Sequence, residues 1–406
     1  NEMASGQTSP IAIRNFLKYF LEQCLQSVLL ATKNCTAEIF VVDNNSTDGS
    51  KQFLEPLFKE VHFIWLPKNI GFAKANNIAL AKTSGDYILF LNPDTIVAED
   101  SFEKTIAFLQ NNTAIGALGV KMIDGSGQFL KESKRAFPSP SISLFKILGL
   151  ANLFPKSKLF AKYHMGHLSV NENNEVDVLA GAFMLVPKVV LNVVGSFDEA
   201  FFMYGEDVDL SYRIQKAGYK NYYFAKTTIL HFKGESTKKG SLNYVRLFYK
   251  AMNLFVHKHY KSGNAAVFTF LINIGIWFRA SLATLTSVFK VDKKTFIKDK
   301  DNFIISDEVN YTKVVEILSV HNESVMDRVN IFNNDKKNTI NDISTIQSYL
   351  KRETAVVFCQ NHLSVSKIIQ LVQQFPVGIV KRFHLANTKS IVSSHSKDGR
   401  GDSIGL

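Results

Sequence analysis

Hydrophobic positions along this chain recur with two periods. From Tyr19 to Leu30 the spacing is helical, which places Phe20, Leu21, Cys24, Leu25 and Val28 on one face. Between helical stretches lie short β-rich runs closed by turn residues. Ile39–Val42 runs into Asp43-Asn44-Asn45-Ser46, Val61–Leu66 into Pro67-Lys68-Asn69, and Tyr87–Leu91 into Asn92-Pro93-Asp94. The alanine-rich Phe72–Ala81 reads as a helix, and Tyr222–Leu230 as another strand. This alternation, from about Ile11 to His231, predicts an α/β fold with a mainly parallel sheet and helices on both faces. In such a sheet ligands bind beyond the carboxyl ends of the strands, so Asp43 and Asp94 are expected to share one crevice.

The pattern then changes. Phe137–Lys158 mixes Pro138, Pro140 and Pro155 with apolar residues and reads as a mobile loop region. Leu242–Tyr260 reads as a helix with aromatic and basic residues. Ala265–Phe289 is the apolar peak, interrupted by Arg279. A spanning helix needs roughly 20 apolar residues with few charges. A buried helix pair and an interfacial or re-entrant helix both fit this stretch, and attachment to an anionic membrane is one expectation. Val291–Tyr349 is polar and Asn-rich and reads as a linker. Ala355–Phe358, Ser364–Gln374 and Gly378–Leu385 then read as strand, helix and strand of a small α/β appendage. Its tail, Ser393–Gly405, is expected to be exposed. The resulting division is 11–240, 241–290, 291–350 and 351–406.

At 406 residues the chain exceeds one typical core. Its formal net charge is +11, from 47 basic and 36 acidic residues. That balance suits anionic lipid or phosphorylated substrates. Nucleic acid is disfavoured, since neither zinc-finger spacing nor a basic helix joined to heptads is present. The three cysteines, Cys24, Cys35 and Cys359, are scattered, which excludes a disulfide scaffold and fits a reducing compartment. The opening residues, Asn1–Pro10, are small and polar and lack a secretory-leader pattern.

Candidate chemistry sits where strands end. In Asp43–Ser50, Asp43 can bind a pyrimidine imide or a ribose hydroxyl, or the segment can be a turn and helix cap. Asn69–Asn77 opens a helix whose N-terminus favours a phosphate, with Gly71 allowing close backbone approach; an ordinary glycine turn explains it equally. Asp94 ends a buried strand, where an unpaired carboxylate needs a reason. It suits a metal ligand bridging two phosphates, against the alternative of capping a helix near Glu99. In Gly205–Arg213, an Asp209–Arg213 ion pair four residues apart accounts for Asp209 but not for both Glu206 and Asp207. One of those carboxylates can serve as general base. His231 ends a strand on the same expected rim, where a metal or diphosphate role fits beside a purely structural one.

Taken together, Val42–Gly49, Asn69–Phe72, Leu91–Asp94, Leu179–Met184, Gly195–Glu199, Gly205–Leu210 and His231–Gly234 resemble glycosyltransferase family 2, in the branch similar to rhamnosyltransferases of bacterial polysaccharide synthesis. The resemblance runs from about Lys18 to Ser236. It implies a GT-A fold and inverting, Mg²⁺- or Mn²⁺-dependent transfer from a UDP- or dTDP-sugar to a glycan or lipid-linked glycan. It implies a donor site of Asp43, Asn45, Asn69, Gly71, Asn77, Asn92 and Asp94, with Asp94 and His231 at the metal. It implies an acceptor side of Gly181, Ala182, Met184 and Glu206, and Asp207 as base. A bacterial cytoplasmic location beside the inner membrane follows.

Two departures stand out. Asn92 occupies a position where many members carry Asp, leaving fewer charged ligands. The family's apolar first strand is reduced to Ile11-Ala12-Ile13-Arg14-Asn15. A binding or scaffold member with a decayed site is therefore one rival. A nucleotidyltransferase is another, although it would need a basic Gly-rich loop after the first strand.

Overall fold

The structure, a computed structural model, describes residues 17–139, 142, 145, 150–232, 242–260, 301–329, 354–394 and 401–406. The chain opens with α1 (Leu17–Ala31), β1 (Ile39–Asp43), α2 (Ser50–Leu54), β2 (Val61–Trp65) and α3 (Phe72–Leu80). There follow β3 (Tyr87–Leu91), β4 (Thr95–Ile96), α4 (Ser101–Gln110), β5 (Ile115–Ile123) and the one-turn α5 (Leu150–Leu153). Next come β6 (Asn174–Val176), β7 (Phe183–Pro187), α6 (Lys188–Val194), α7 (Glu206–Lys216), β8 (Lys220–His231) and α8 (Leu242–His259). The last part holds β9 (Asn302–Ile305), α9 (Glu308–Val320), β10 (Val325–Val329), β11 (Ala355–Cys359) and α10 (Val365–Gln374). It closes with β12 (Val380–His384), β13 (Ser390–Ser393) and β14 (Asp402–Gly405).

The α/β class stands, but the sheet is not mainly parallel at its centre. The central sheet runs β3-β7-β5-β8-β4, with β6 also on β8. Among the described residues only its β5–β8 pairing is parallel; β3–β7, β5–β7, β4–β8 and β6–β8 are antiparallel. The expectation failed because a continuous apolar run reports burial on both faces, not strand direction. Residues of β5 and β7 are nearly all buried, and β7 enters between β3 and β5 in the reverse sense. β1 and β2 form a separate parallel pair. Asp43 thus closes β1 in one sheet while Asp94 lies in the turn between β3 and β4 of another, so among the described residues they do not close two strands of a single sheet, as the crevice expected for them assumed.

The C-terminal sheet runs β10-β9-β11-β12-β13-β14, parallel through its first four strands. Residues 302–329, inside the expected linker, thus supply two strands and a helix. β9 is only Asn-Phe-Ile-Ile, too short for its apolar signal to rise above charged surroundings. The expected exposed tail also differs: Asp402–Gly405 pairs with β13, and Gly405 lies against the Tyr19 ring.

α1 joins the two sheets. Gln23 Nε2 donates to Thr388 Oγ1 at 2.8 Å and to Ser390 O at 2.9 Å, while its Oε1 accepts from Leu385 N. Glu22 accepts from Lys389 N and from Ser390 Oγ. Burial pushes the Glu22 carboxyl up to about 7. Glu99 accepts from Val365 N and Ser366 N at the start of α10, where the helix dipole favours an anion. Phe232 packs against Phe20 and Phe383, giving one continuous apolar core across the junction.

Among the described residues no helix is long and apolar enough to cross a membrane. The stretch 265–289 lies outside the described residues, as do Ile11–Asn15 and Lys233-Gly234.

Candidate active site

β3 and β8 bring the first cluster together. Thr95 pairs with His231 across the β4–β8 ladder, and Phe232 N donates to Asp94 O at 2.9 Å. This register sets the Asp94 carboxylate beside the His231 ring, with Oδ1 3.4 Å from Nε2. Asn92 Nδ2 lies 3.3 Å from the same nitrogen. Asp94 is 3% exposed and His231 6%. Asp94 Oδ1 and His231 Nδ1 are buried and accept or donate no hydrogen bond. Buried polar atoms are normally satisfied, so Asp94 Oδ1 has capacity for a further partner on the side of His231 Nε2, while Nδ1 looks away from it across the ring.

The unpaired Asp94 carboxylate oxygen suits a divalent cation, with His231 Nε2 as the ring nitrogen on its side. Among the described residues no three His, Cys, Asp or Glu side chains stand together as a metal cage. One carboxylate with few protein partners is the arrangement used for Mg²⁺ when substrate phosphates complete the shell. Asp94 and His231 suit that arrangement; Asn92 orients the ring. Asp94 does not cap a helix, since α4 starts at Ser101 behind Asp100.

α7 carries the second cluster. Gly205, at φ +85°, turns the chain into the helix, and Glu206, Asp207 and Asp209 fill its first turn. Asp207 faces a cleft shared with Arg135, Tyr163, Tyr204, Phe248 and Met252. Arg135 Nη2 donates to Asp207 Oδ2 at 2.5 Å and to Leu179 O at 2.8 Å. Asp207 Oδ2 also accepts from Gly181 N at 3.3 Å, and Oδ1 from Val208 N at 2.8 Å. Glu206 is different. It is 7% exposed, its Oε2 has no partner, and burial followed by the Asp207 charge pushes its carboxyl up to about 8. Of the two adjacent carboxyls, Asp207 is thus paired with a cation, while Glu206 keeps its proton at neutral pH.

Asp209 is wholly buried. The expected pair with Arg213 forms at 2.8 Å, and Lys258 and His259 of α8 add contacts at 2.8 and 2.7 Å. Burial opposes ionisation of Asp209, and Lys258, His259 and Arg213 outweigh it, holding the carboxyl below its ordinary range. Asp209 therefore ties α8 to α7 and leaves the cleft to its neighbours.

The expected donor residues follow β1 and lead into α3. Asp43 Oδ1 accepts from Ser46 N at 2.7 Å, and Asn45 sits exposed at φ +69°. Asn44 bridges to the next loop, accepting from Ile70 N and donating to Gly71 O. Asn69 Oδ1 accepts from Gly71 N. Gly71, at φ +91°, does allow a close approach, but by Phe202: a Cβ there would stand 2.7 Å from Phe202 O. Asn77 Nδ2 donates to Phe197 O and to Glu199 Oε1, anchoring α3.

On the acceptor side, Gly181 touches Asp207, and Ala182 O accepts from Asn92 N at 3.1 Å. Residues 181–182 thus connect the two clusters. Met184 of β7 lies apart from them: it is fully buried in the apolar cluster with Ile88 and Phe90 of β3 and Ala117 of β5. Sequence reasoning missed Arg135 and Tyr163. Arg135 lies in a loop 72 residues before Asp207, where no periodic signal singles it out.

Residues 12–179 match the family model described as Glycosyl transferase family 2. Over those residues the chain is similar to glycosyltransferase family 2, which supports a transferase enzyme. It is 28% identical over 250 residues to the N-acetylglucosaminyl-diphospho-decaprenol L-rhamnosyltransferase of Mycobacterium tuberculosis, covering 58% of this chain and 79% of the relative. It is 30% identical over 171 residues to Rhamnosyltransferase WbbL of Escherichia coli, covering 40% of this chain and 61% of that relative. The solved structure of S. aureus TarS 1-349 superposes with a TM-score of 0.40 at 16% identity, covering 70% of this chain and 74% of that one. A superposition at that level adds nothing to the assignment.

Proposed function

We propose that this enzyme transfers a sugar from a nucleotide-diphosphate sugar to a hydroxyl of a glycan or lipid-linked glycan during bacterial surface-polysaccharide synthesis. The relatives' names support the pathway class, and a GT-A arrangement is the reading we adopt for the domain. The observation that carries the proposal is the pairing of two polar clusters through residues 181–182. One is the orphaned Asp94–His231 pair; the other is Asp207 held by Arg135.

In this reading Asp94 and His231 are the residues that would hold Mg²⁺ or Mn²⁺. When bound, the metal supplies Lewis-acid stabilisation of the departing diphosphate. Asn92 orients the His231 ring. Asp43, Asn45 and Asn69 offer polar contacts to base and ribose. Gly71 and Asn77 shape that loop. Asp207 takes the proton of the attacking acceptor hydroxyl in a single, inverting displacement, and Arg135 fixes its orientation. Glu206 contributes a protonated carboxyl to the acceptor side. Positioning and preorganised charge supply most of the rate. A bacterial cytoplasmic enzyme beside the inner membrane is the location that suits such an acceptor.

A thermal-shift screen of UDP-, dTDP- and GDP-sugars, with and without Mn²⁺, tests the reading. Stabilisation by one nucleotide class that requires the metal supports it; no stabilisation by any class removes it.

A further inference from the structure

Next to the cleft lies a surface that the chemistry above does not use. Leu153 is 70% exposed, Leu159 58% and Phe154 51%. Large apolar side chains gathered on a surface mark an interaction site more often than scattered ones do. The loop carrying them is well built. Ser157 N donates to Phe154 O, Ala161 N donates to Ser157 O, and Ser157 Oγ accepts from Leu159 N and Phe160 N. The Phe160 ring packs 5.4 Å from Phe154. A Cβ on Gly166 would stand 2.0 Å from Pro155 O, so the next turn sits directly on this loop. The apolar side chains are therefore held outward by an ordered backbone.

Charge accompanies them. Lys156, Lys158 and Lys162 are exposed on the same ten residues. From Ser133 through Asn171 the chain holds six lysine or arginine residues and no aspartate or glutamate. His167 registers the local field: burial, then Lys158, Lys134 and Lys162, hold its ring below its ordinary range. The segment also borders the cleft, because Tyr163 lines it together with Glu206 and Asp207.

We propose that residues 153–162 form the face by which the enzyme rests on an anionic bilayer, so that the Glu206–Asp207 cleft opens at the lipid surface. Apolar side chains interleaved with lysines match the boundary between headgroups and acyl chains: the former enter it, and the latter meet lipid phosphates. The link of this face to a lipid-borne acceptor rests on the transferase reading; its affinity for lipid does not.

Flotation of the full chain with phosphatidylcholine vesicles, with and without phosphatidylglycerol, tests the proposal. Two triple variants serve: Lys156→Glu/Lys158→Glu/Lys162→Glu and Leu153→Ser/Phe154→Ser/Leu159→Ser. The parent should partition onto phosphatidylglycerol vesicles and lose that binding in high salt. The lysine variant should bind on the order of a hundredfold less, from three lysine–lipid contacts. The apolar variant should also bind less, and both should keep the parent's melting temperature and its affinity for a nucleoside diphosphate with Mn²⁺. Equal parent binding with and without phosphatidylglycerol overturns the proposal. So does undiminished binding by both variants, which would assign attachment elsewhere. A parent that binds vesicles but no nucleotide would sink the transferase reading and leave this face standing.

Discussion

Arg135 Nη2 stands 2.5 Å from Asp207 Oδ2, with both side chains about one-seventh exposed, across 72 residues of sequence. This pair separates the two acids of α7. Asp207 has a cation; Glu206, one residue away, has a free buried oxygen and keeps its proton.

Removing the cation should therefore strand the Asp207 carboxylate. Arg135→Met is expected to lower stability by about 3 kcal/mol, as for a mostly buried ion pair that loses one partner. Arg135→Lys should recover part of that loss. In a double-mutant cycle with Asp207→Asn, denaturant unfolding should show coupling of about 1–3 kcal/mol. Additive losses would mean that the pair contributes no shared energy.

Asp94 should govern metal-dependent binding. Titration calorimetry with a nucleoside diphosphate should show tight binding with Mn²⁺ that chelator removes. Asp94→Ala should abolish the metal-dependent part and keep the weak remainder. Equal affinity of the parent with and without chelator would dismiss the metal role of Asp94 and His231.

Glu206 makes a prediction about pH. Its folded carboxyl titrates at about 8, above the ordinary 4.5. Between those values the folded chain holds a proton that the unfolded chain has released, so unfolding becomes easier as pH rises. The stabilising contribution is complete below about 4.5 and is lost as pH climbs through about 8. Glu206→Gln cannot ionise, so its Tm relative to the parent should improve from pH 5 to pH 8.5. A constant difference would contradict the buried, protonated state.

Gly71 is sensitive for two reasons. Its φ of +91° disfavours any side chain, and a Cβ would meet Phe202 O at 2.7 Å. Gly71→Ala is expected to cost about 2–4 kcal/mol, from strain plus overpacking. Asn77→Ala, which removes hydrogen bonds without creating a clash, should cost less. Thermal melts of the two variants would rank them, and the reverse order would contradict the close packing at Gly71.

Several of these features were legible in the sequence. Turn chemistry after β3 marked Asp94, and the first-turn acids marked α7, because capping and dipole effects act within a few residues. The Asp209–Arg213 pair followed from helical spacing alone. Arg135 did not, since a loop residue has no period to betray its partner. Nor did Lys258 and His259, whose contact with Asp209 depends on how α8 packs. The direction of β7 was hidden because apolar content reports burial only. β9 was hidden because four residues, half of them Ile, vanish within a polar window.

The most direct measurement is the initial rate of nucleoside diphosphate release from the best-binding nucleotide sugar, with a lipid-linked saccharide acceptor, in the parent and in Asp207→Asn. The account predicts turnover by the parent, a loss of about 10²–10⁴-fold in the variant, and donor affinity nearly unchanged. Near-normal turnover by Asp207→Asn would remove this residue as the base, and loss of donor affinity instead would move it to the donor site.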